Sequence, residues 1–200
     1  FVSVFFSLTS HPPYNIPEEY ENQFPKGELD IHESIAYSDN ALRTFFQTAQ
    51  KMDWFNNTLF VITADHTSPL SNKLDYKNKI GRYAIPMLFW KSDNTLKGVI
   101  DNTCQHIDIL PTVMELLGYK KEFFSFGKSI LHGQDLALSF LKNEYLMITK
   151  DGYLVNKDEV YTTYKDKTLK ESIPNSPALV NRLKGIKQGF NNSLITNQMS

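Results

Sequence analysis

Cysteine is almost absent: Cys104 is the single one in 200 residues, which excludes an internal disulfide framework and any cysteine-rich zinc site. Long apolar runs are absent too. None approaches the roughly 18 residues that span a bilayer, so the expectation is a soluble piece. Neither sign of charge dominates, with 21 Lys+Arg against 22 Asp+Glu. With no basic block either, nucleic acid is not an expected partner. There is no Gly-x-x-x-x-Gly-Lys loop, no Gly-x-Gly-x-x-Gly, no His-Glu-x-x-His and no Gly-x-Ser-x-Gly, which removes the commonest nucleotide-binding, zinc-protease and serine-hydrolase readings. Methionine and a polar lead-in are missing ahead of Phe1-Val2-Ser3-Val4-Phe5-Phe6-Ser7-Leu8. That run is too short for a typical signal peptide and rich in Val and Phe, so it reads as a buried strand. A domain seldom opens inside its own central sheet, and the expectation is that the chain is a fragment of a longer protein.

What is present is an alternation of apolar runs and amphipathic stretches. A loop rich in Pro, Asn and Gly covers about 9–30. Ile31, Ile35, Leu42, Phe45, Ala49 and Met52 then recur at helical spacing, predicting a helix over 31–52 with those residues on one face. Leu59–Ala64 reads as a second buried strand and 83–90 as a third, with Pro86 demoting the latter to an edge or a bulge. Asp108 to Leu117 reads as a short helix, with Asp108 as its cap, Pro111 in its first turn and Gly118 at its end. This rhythm is that of an α/β sheet with helices packed on it. The remainder differs. Tyr145–Thr149 and Tyr153–Asn156 flank an Asp151-Gly152 turn, and 160–164 adds a strand, which predicts a small antiparallel appendage. A linker over 165–177 leads to a helix at about 178–188, and 191–200 is expected to fray. The expected division is 1–140 and 141–200.

Asp65-His66 directly follows the second apolar strand, and in open α/β sheets ligands gather at the carboxyl ends of strands. A carboxylate beside an imidazole suits a borderline divalent ion such as manganese or zinc. The plain alternative is a turn acid beside a solvated histidine. His11, in Thr9-Ser10-His11-Pro12-Pro13-Tyr14, again follows a strand-like run, and its prolines stiffen the loop. It could hydrogen-bond a phosphoryl or sulfuryl oxygen or donate a proton to a leaving oxygen; the bland alternative is a surface histidine. His106 precedes Ile107-Asp108-Ile109-Leu110-Pro111-Thr112, where capping and core packing account for the neighbours. His32, His132 and Cys104 read as structural.

Three segments taken together, 8–14, 59–67 and 106–118, resemble in order and spacing the second half of the catalytic domain of the alkaline phosphatase/sulfatase superfamily. They look most like its lipoteichoic-acid-synthase-type phosphoglycerol transferase branch, and Tyr37-Ser38-Asp39-Asn40-Ala41-Leu42 fits the same pattern. The resemblance covers roughly 1–135. It implies the C-terminal half of a sulfatase-like mixed sheet with flanking helices, followed by the hairpin appendage. It implies that Asp65 and His66 ligate a divalent metal, manganese first, with zinc, magnesium or calcium as alternatives. It implies that His11 contacts the substrate phosphoryl group as a catalytic and substrate-binding residue, with His106 a weaker substrate-binding candidate. The family's nucleophilic threonine and acidic metal ligand match nothing in this chain and would lie upstream.

The implied reaction has two steps: a threonine attacks the phosphorus of a glycerophospholipid head group, and an acceptor hydroxyl resolves the intermediate. The implied full-length protein is membrane-anchored with its catalytic domain periplasmic or extracellular. The implied partners are a lipid head group, or a sulfated or phosphorylated small molecule, and the upstream remainder of the polypeptide. An apolar surface left without that remainder is expected to self-associate, and the chain alone is expected to be inactive. The rival readings are a sulfatase, which carries a formylglycine from a Cys/Ser-x-Pro-x-Arg motif, and a catalytically silent binding module on the same scaffold.

Overall fold

The computed structural model describes residues 1–133 and 135–199. Backbone contacts divide the chain into two compact units, one made of Phe1–Lys77 with Ala84–Lys97, the other of Asn78–Tyr83 with the chain from Gly98 onward.

The first unit is built on helix α1, Ile31–Ala49, and on strands β1, Phe60–Thr63, and β2, Met87–Trp90. These strands pair antiparallel, with Phe60 opposite Trp90 and Thr63 opposite Met87. Aromatic packing joins helix to sheet. The Phe60 ring centroid lies 5.1 Å from Phe46 and 5.5 Å from both Phe55 and Trp90, within the range where edge and tilted contacts are attractive. The start of α1 is tied down by His32, whose Nδ1 accepts the Glu28 N–H at 3.1 Å. That assigns His32 to structure, as the sequence indicates.

Three expectations are corrected in this unit. Phe1–Leu8 is not a strand, and its apolar side chains are exposed, Phe5 at 93%. A strand is a ladder shared with a neighbour, and no described strand pairs with this run, so its β-propensity has nothing to act on. Strand β1 is half-buried rather than buried on both faces; among the described residues it pairs with β2 alone. The apolar stripe of α1 is covered chiefly at its ends. Ile31 and Ala49 are buried while Ile35, Leu42 and Phe45 are exposed, because the two-stranded sheet offers a narrow aromatic surface that Phe46 fills. As for β2, it starts directly after Pro86, whose missing N–H cannot join the ladder.

The second unit holds α2, Ile109–Leu116, a five-stranded antiparallel meander, and α3, Pro177–Ile195. The strands are β3 Ala137–Leu141, β4 Glu144–Thr149, β5 Gly152–Lys157, β6 Val160–Tyr164 and β7 Ser172–Ile173, adjacent in chain order. Lys142 and Asn143 both have positive φ, as do Asp158 and Glu159. Two-residue hairpins of that shape match the right-handed twist of their strands. One face of the meander packs on α3 through Leu136, Met147, Leu154, Leu179 and Leu183. Ser176 caps α3 by accepting the Leu179 N–H, and Pro177 fills its first turn. The helix runs to Ile195, past the expected end, and takes in residues expected to fray.

Asp108 does not stand at the head of α2 as a simple cap. It sits at the end of a 3₁₀ turn, His106–Asp108, closing a capping box with Gln105. Its carboxylate is fully buried and accepts the Gln105 N–H at 2.9 Å and the Lys128 N–H at 3.0 Å. Burial pushes its pKa up despite both bonds. Thr112 Oγ1, also buried, donates to the Asp108 carbonyl at 2.6 Å and accepts the Ile130 N–H at 3.1 Å. The Asp-x-x-Pro-Thr segment is thus a clasp between α2 and the loop at 125–130. At its other end α2 closes with Gly118 at φ 71°, Gly118 N–H bonding to the Glu115 carbonyl and Tyr119 N–H to the Met114 carbonyl.

Candidate functional site

Asp65 and His66 occupy the loop that leaves β1, the place where a strand delivers side chains outward. Two threonines bracket this loop. Thr63 Oγ1 donates to the Pro86 carbonyl at 2.8 Å and Thr67 Oγ1 to the Ala84 carbonyl at 2.7 Å. The approach to β2 therefore holds both sides of Ala64-Asp65-His66. The sequence reading passed over these threonines; their signal is the i, i+4 spacing around the Asp-His pair.

Within the loop, the His66 N–H donates to Asp65 Oδ1 at 2.8 Å, which turns Oδ2 toward the imidazole; Oδ2 and His66 Nε2 are 3.5 Å apart. His66 Nδ1 lies 3.0 Å from the Thr67 carbonyl. A carbonyl only accepts, so this contact places the proton on Nδ1 and leaves the Nε2 lone pair open. Orientation of a histidine by a backbone carbonyl on its second nitrogen is the usual support for a metal-ligating imidazole. Both side chains are more than half exposed. Two donors at this separation match one edge of a coordination shell with bonds of about 2.1 Å. The pair therefore fits two positions around a divalent ion. Among the described residues no group of three or more His, Cys, Asp or Glu side chains is arranged to hold a metal, so the remaining positions need other donors.

His11 is in the same unit, in the turn where its N–H donates to the Leu8 carbonyl and the Tyr14 N–H donates to the His11 carbonyl. Its Nδ1 is 3.0 Å from the Pro12 carbonyl and the side chain is exposed. By the same logic Nδ1 carries the proton and Nε2 is the outward atom, an acceptor when the ring is neutral and a donor when it is charged. No hydrogen bond or ion pair joins His11 to Asp65 or His66 among the described residues. His106 lies in the second unit, exposed on the 3₁₀ turn ahead of α2. His132 is 2.8 Å from Glu115 Oε1 at the surface. Cys104 is half-buried and its thiol pKa is pushed up, chiefly by burial and secondarily by Asp108, which suits an inert thiol.

The Sulfatase family profile matches residues 1–119, more than half of the chain. Among curated proteins, the chain is 25% identical over 196 residues to the lipoteichoic acid synthase-like YvgJ of Bacillus subtilis, covering 84% of this chain and 30% of that protein. It is 24% identical over 173 residues to the lipoteichoic acid synthase of Staphylococcus aureus, covering 78% and 26%. The chain therefore spans between a quarter and a third of the length of these relatives. Among solved structures, a protein in the alkaline phosphatase superfamily from Vibrio parahaemolyticus superposes with a TM-score of 0.77 at 22% identity, over 96% of this chain and 48% of that one. That likeness shows the fold. The chain belongs to the sulfatase family, with lipoteichoic acid synthases among its relatives.

Proposed function

We propose that this member of the sulfatase family is part of a metal-dependent phosphoglycerol transferase, acting on glycerophospholipid head groups through a threonine nucleophile that lies upstream of these residues. The observation that carries the reading is the Asp65–His66 pair: two outward donors 3.5 Å apart on a loop clasped by Thr63 and Thr67. Asp65 Oδ2 and His66 Nε2 would hold the ion, with manganese the first candidate and zinc, magnesium and calcium behind it. When bound, the ion supplies Lewis acidity at a phosphoryl oxygen and lowers the pKa of an attacking hydroxyl.

Two further roles fall to the chain's own residues. Thr67, through its carbonyl, keeps the proton of His66 on Nδ1 so that Nε2 stays a ligand. Protonated His11 donates from Nε2 to an oxygen of the transferring group and stabilises the charge that develops there; neutral His11 takes up a proton at the same atom. Membrane anchoring of the whole protein, with this part outside the membrane, completes the proposal. Among the described residues no helix is long and apolar enough to cross a membrane.

The test is release of diacylglycerol from phosphatidylglycerol by the complete polypeptide, the group that leaves when a threonine takes up the phosphoglycerol. Activity should require manganese or a related ion, stop with chelator, and fall on the order of a hundredfold or more in Asp65→Ala and His66→Ala. Residues 1–200 alone should be inactive. The family profile favours one second reading, a sulfuric ester hydrolase. Turnover of an aryl sulfate by the same preparation, with no action on phosphatidylglycerol, would establish that reading in place of the transferase.

A further inference from the structure

The second unit carries a cavity of about 280 Å³ against the face of the meander that α3 does not cover. Lys79, Arg82, Lys142 and Lys157 line it, and among the described residues the one acidic side chain on its wall is Glu144. Glu144 is already committed, since Lys79 Nζ donates to its two carboxylate oxygens at 2.7 and 2.8 Å. Arg82, Lys142 and Lys157 have no acidic side chain within ion-pair distance among the described residues. Three residues with cationic side chains therefore line one small concavity and, among the described residues, none of them is in an ion pair. Exposed like charges lining one concavity raise its positive potential and so favour the entry of an anion. Ser139 and Tyr83 place hydroxyl-bearing side chains on the same wall.

Size and neighbourhood narrow the ligand. The cavity suits a small group and is too small for a folded partner. Lys157 and the Lys79–Glu144 pair also line an adjoining cavity of about 570 Å³, which has Val155, Val160 and Leu169 among its walls. A cationic cup beside a partly apolar groove matches a ligand with one anionic group and an uncharged remainder. Arg and Lys together favour an oxyanion of phosphate type, since guanidinium matches its oxygens in a fork and ammonium adds point charge.

We propose that the cavity bounded by Arg82, Lys142 and Lys157 is a phosphate-binding subsite in the second unit, formed wholly from residues other than His11, Asp65 and His66. It takes a phosphate-bearing group, either on a free small molecule or on a lipid. Inorganic phosphate tests the subsite independently of the function proposed above; glycerol 3-phosphate as a probe rests on that function.

Amide and arginine side-chain resonances of the isotope-labelled chain, titrated at about 150 mM sodium chloride to screen bulk charge, read the binding directly. Phosphate and glycerol 3-phosphate should produce saturable shifts at Arg82, Tyr83, Ser139 and Lys157. Arg82→Gln and Lys157→Gln should each weaken binding about tenfold. Both side chains are exposed, so circular dichroism should show the variants folded. Asp65→Ala should leave the titration unchanged, so a failed metal site and a failed subsite are told apart. A parallel arm sediments the chain with phosphatidylglycerol or phosphatidylcholine vesicles. Arg82- and Lys157-dependent binding to the anionic vesicles alone, without shifts from the free ligands, identifies the source as a lipid head group; shifts without vesicle binding identify a free phosphate. Shifts that chloride reproduces, affinity unchanged in both variants, or no response in either arm would overturn the proposal.

Discussion

Replacing Asp108 by alanine should unfold the second unit at lower denaturant. The carboxylate is fully buried and serves two backbone donors, Gln105 and Lys128, at 2.9 and 3.0 Å. A hydrogen bond to a charged acceptor contributes about 1.5 kcal/mol or more net, and a buried donor stripped of its partner loses a similar amount. The raised pKa of Asp108 shows that burying the charge is itself unfavourable, so the lower end applies. Two bonds at about 1.5 kcal/mol give an expected loss of about 3 kcal/mol. Asp108→Asn keeps one carbonyl oxygen and turns an NH₂ group toward the second donor, so it should fall between wild type and alanine.

Urea titration followed by far-UV circular dichroism is the assay, because both tryptophans, Trp54 and Trp90, lie in the first unit. The pH dependence adds a second reading. A carboxyl whose folded pKa is raised binds its proton more tightly in the native state. Its contribution is therefore full below the ordinary value of 3.8 and is lost as pH climbs through the folded pKa. Relative to Asp108→Asn, wild type should gain stability as pH falls from neutral toward 4, the carboxylates common to both proteins cancelling. A loss below about 0.5 kcal/mol for Asp108→Ala would refute the clasp, since that is the scatter of an unremarkable surface change.

Thr112→Val keeps the shape of the side chain but removes the acceptor of the Ile130 N–H, and should lower stability by about 1–3 kcal/mol in the same titration. Gly127→Ala should be worse than its size implies, because a Cβ there would overlap the Ile107 carbonyl; failure to express in folded form, or a loss above about 2 kcal/mol, is the expected result. Lys187→Met should loosen α3 from β5, since its ammonium donates to Asn156 and Glu159 and lies 4.8 Å from the Tyr145 ring centre. The loss should be about 1 kcal/mol and should shrink in Glu159→Gln. The apolar run at 1–8, with Phe1 88% and Phe5 93% exposed, should drive self-association of the chain; a monomer by sedimentation at high concentration, without binding of a hydrophobic dye, would contradict that.

The elements legible in the sequence are those whose cause is local. Helix α1 announces itself by its spacing, α2 by Pro111 and Gly118, and the β4–β5 hairpin by Asp151-Gly152 between alternating residues. Strand β6 is legible too, at 160–164, whereas β3 and β7 are not. The β3–β4 turn is Lys142-Asn143, which reaches positive φ without a glycine, and β7 is two residues long. Phe1–Leu8 shows the opposite failure. Its composition is that of a strand, yet a strand exists only where a neighbour shares its hydrogen bonds, and composition says nothing about neighbours.

The candidate site divides along the same line. Asp65-His66 is visible because two unlike donors stand side by side after an apolar run, and both the clasp by Thr63 and Thr67 and the tautomer imposed by Thr67 follow from that one loop. The cationic cavity has no such signature. Lys79 and Arg82 precede Lys142 and Lys157 by about sixty to eighty positions, and each alone reads as a solvated surface residue. They converge because the 78–83 segment belongs to the meander's unit rather than to the one around it in sequence, and because the hairpin turn at Lys142 and the end of β5 at Lys157 lie on the same edge of paired strands, Glu144 opposite Lys157. A site assembled by topology is invisible to any local pattern, and its chemistry can be read only once the register of the sheet is known.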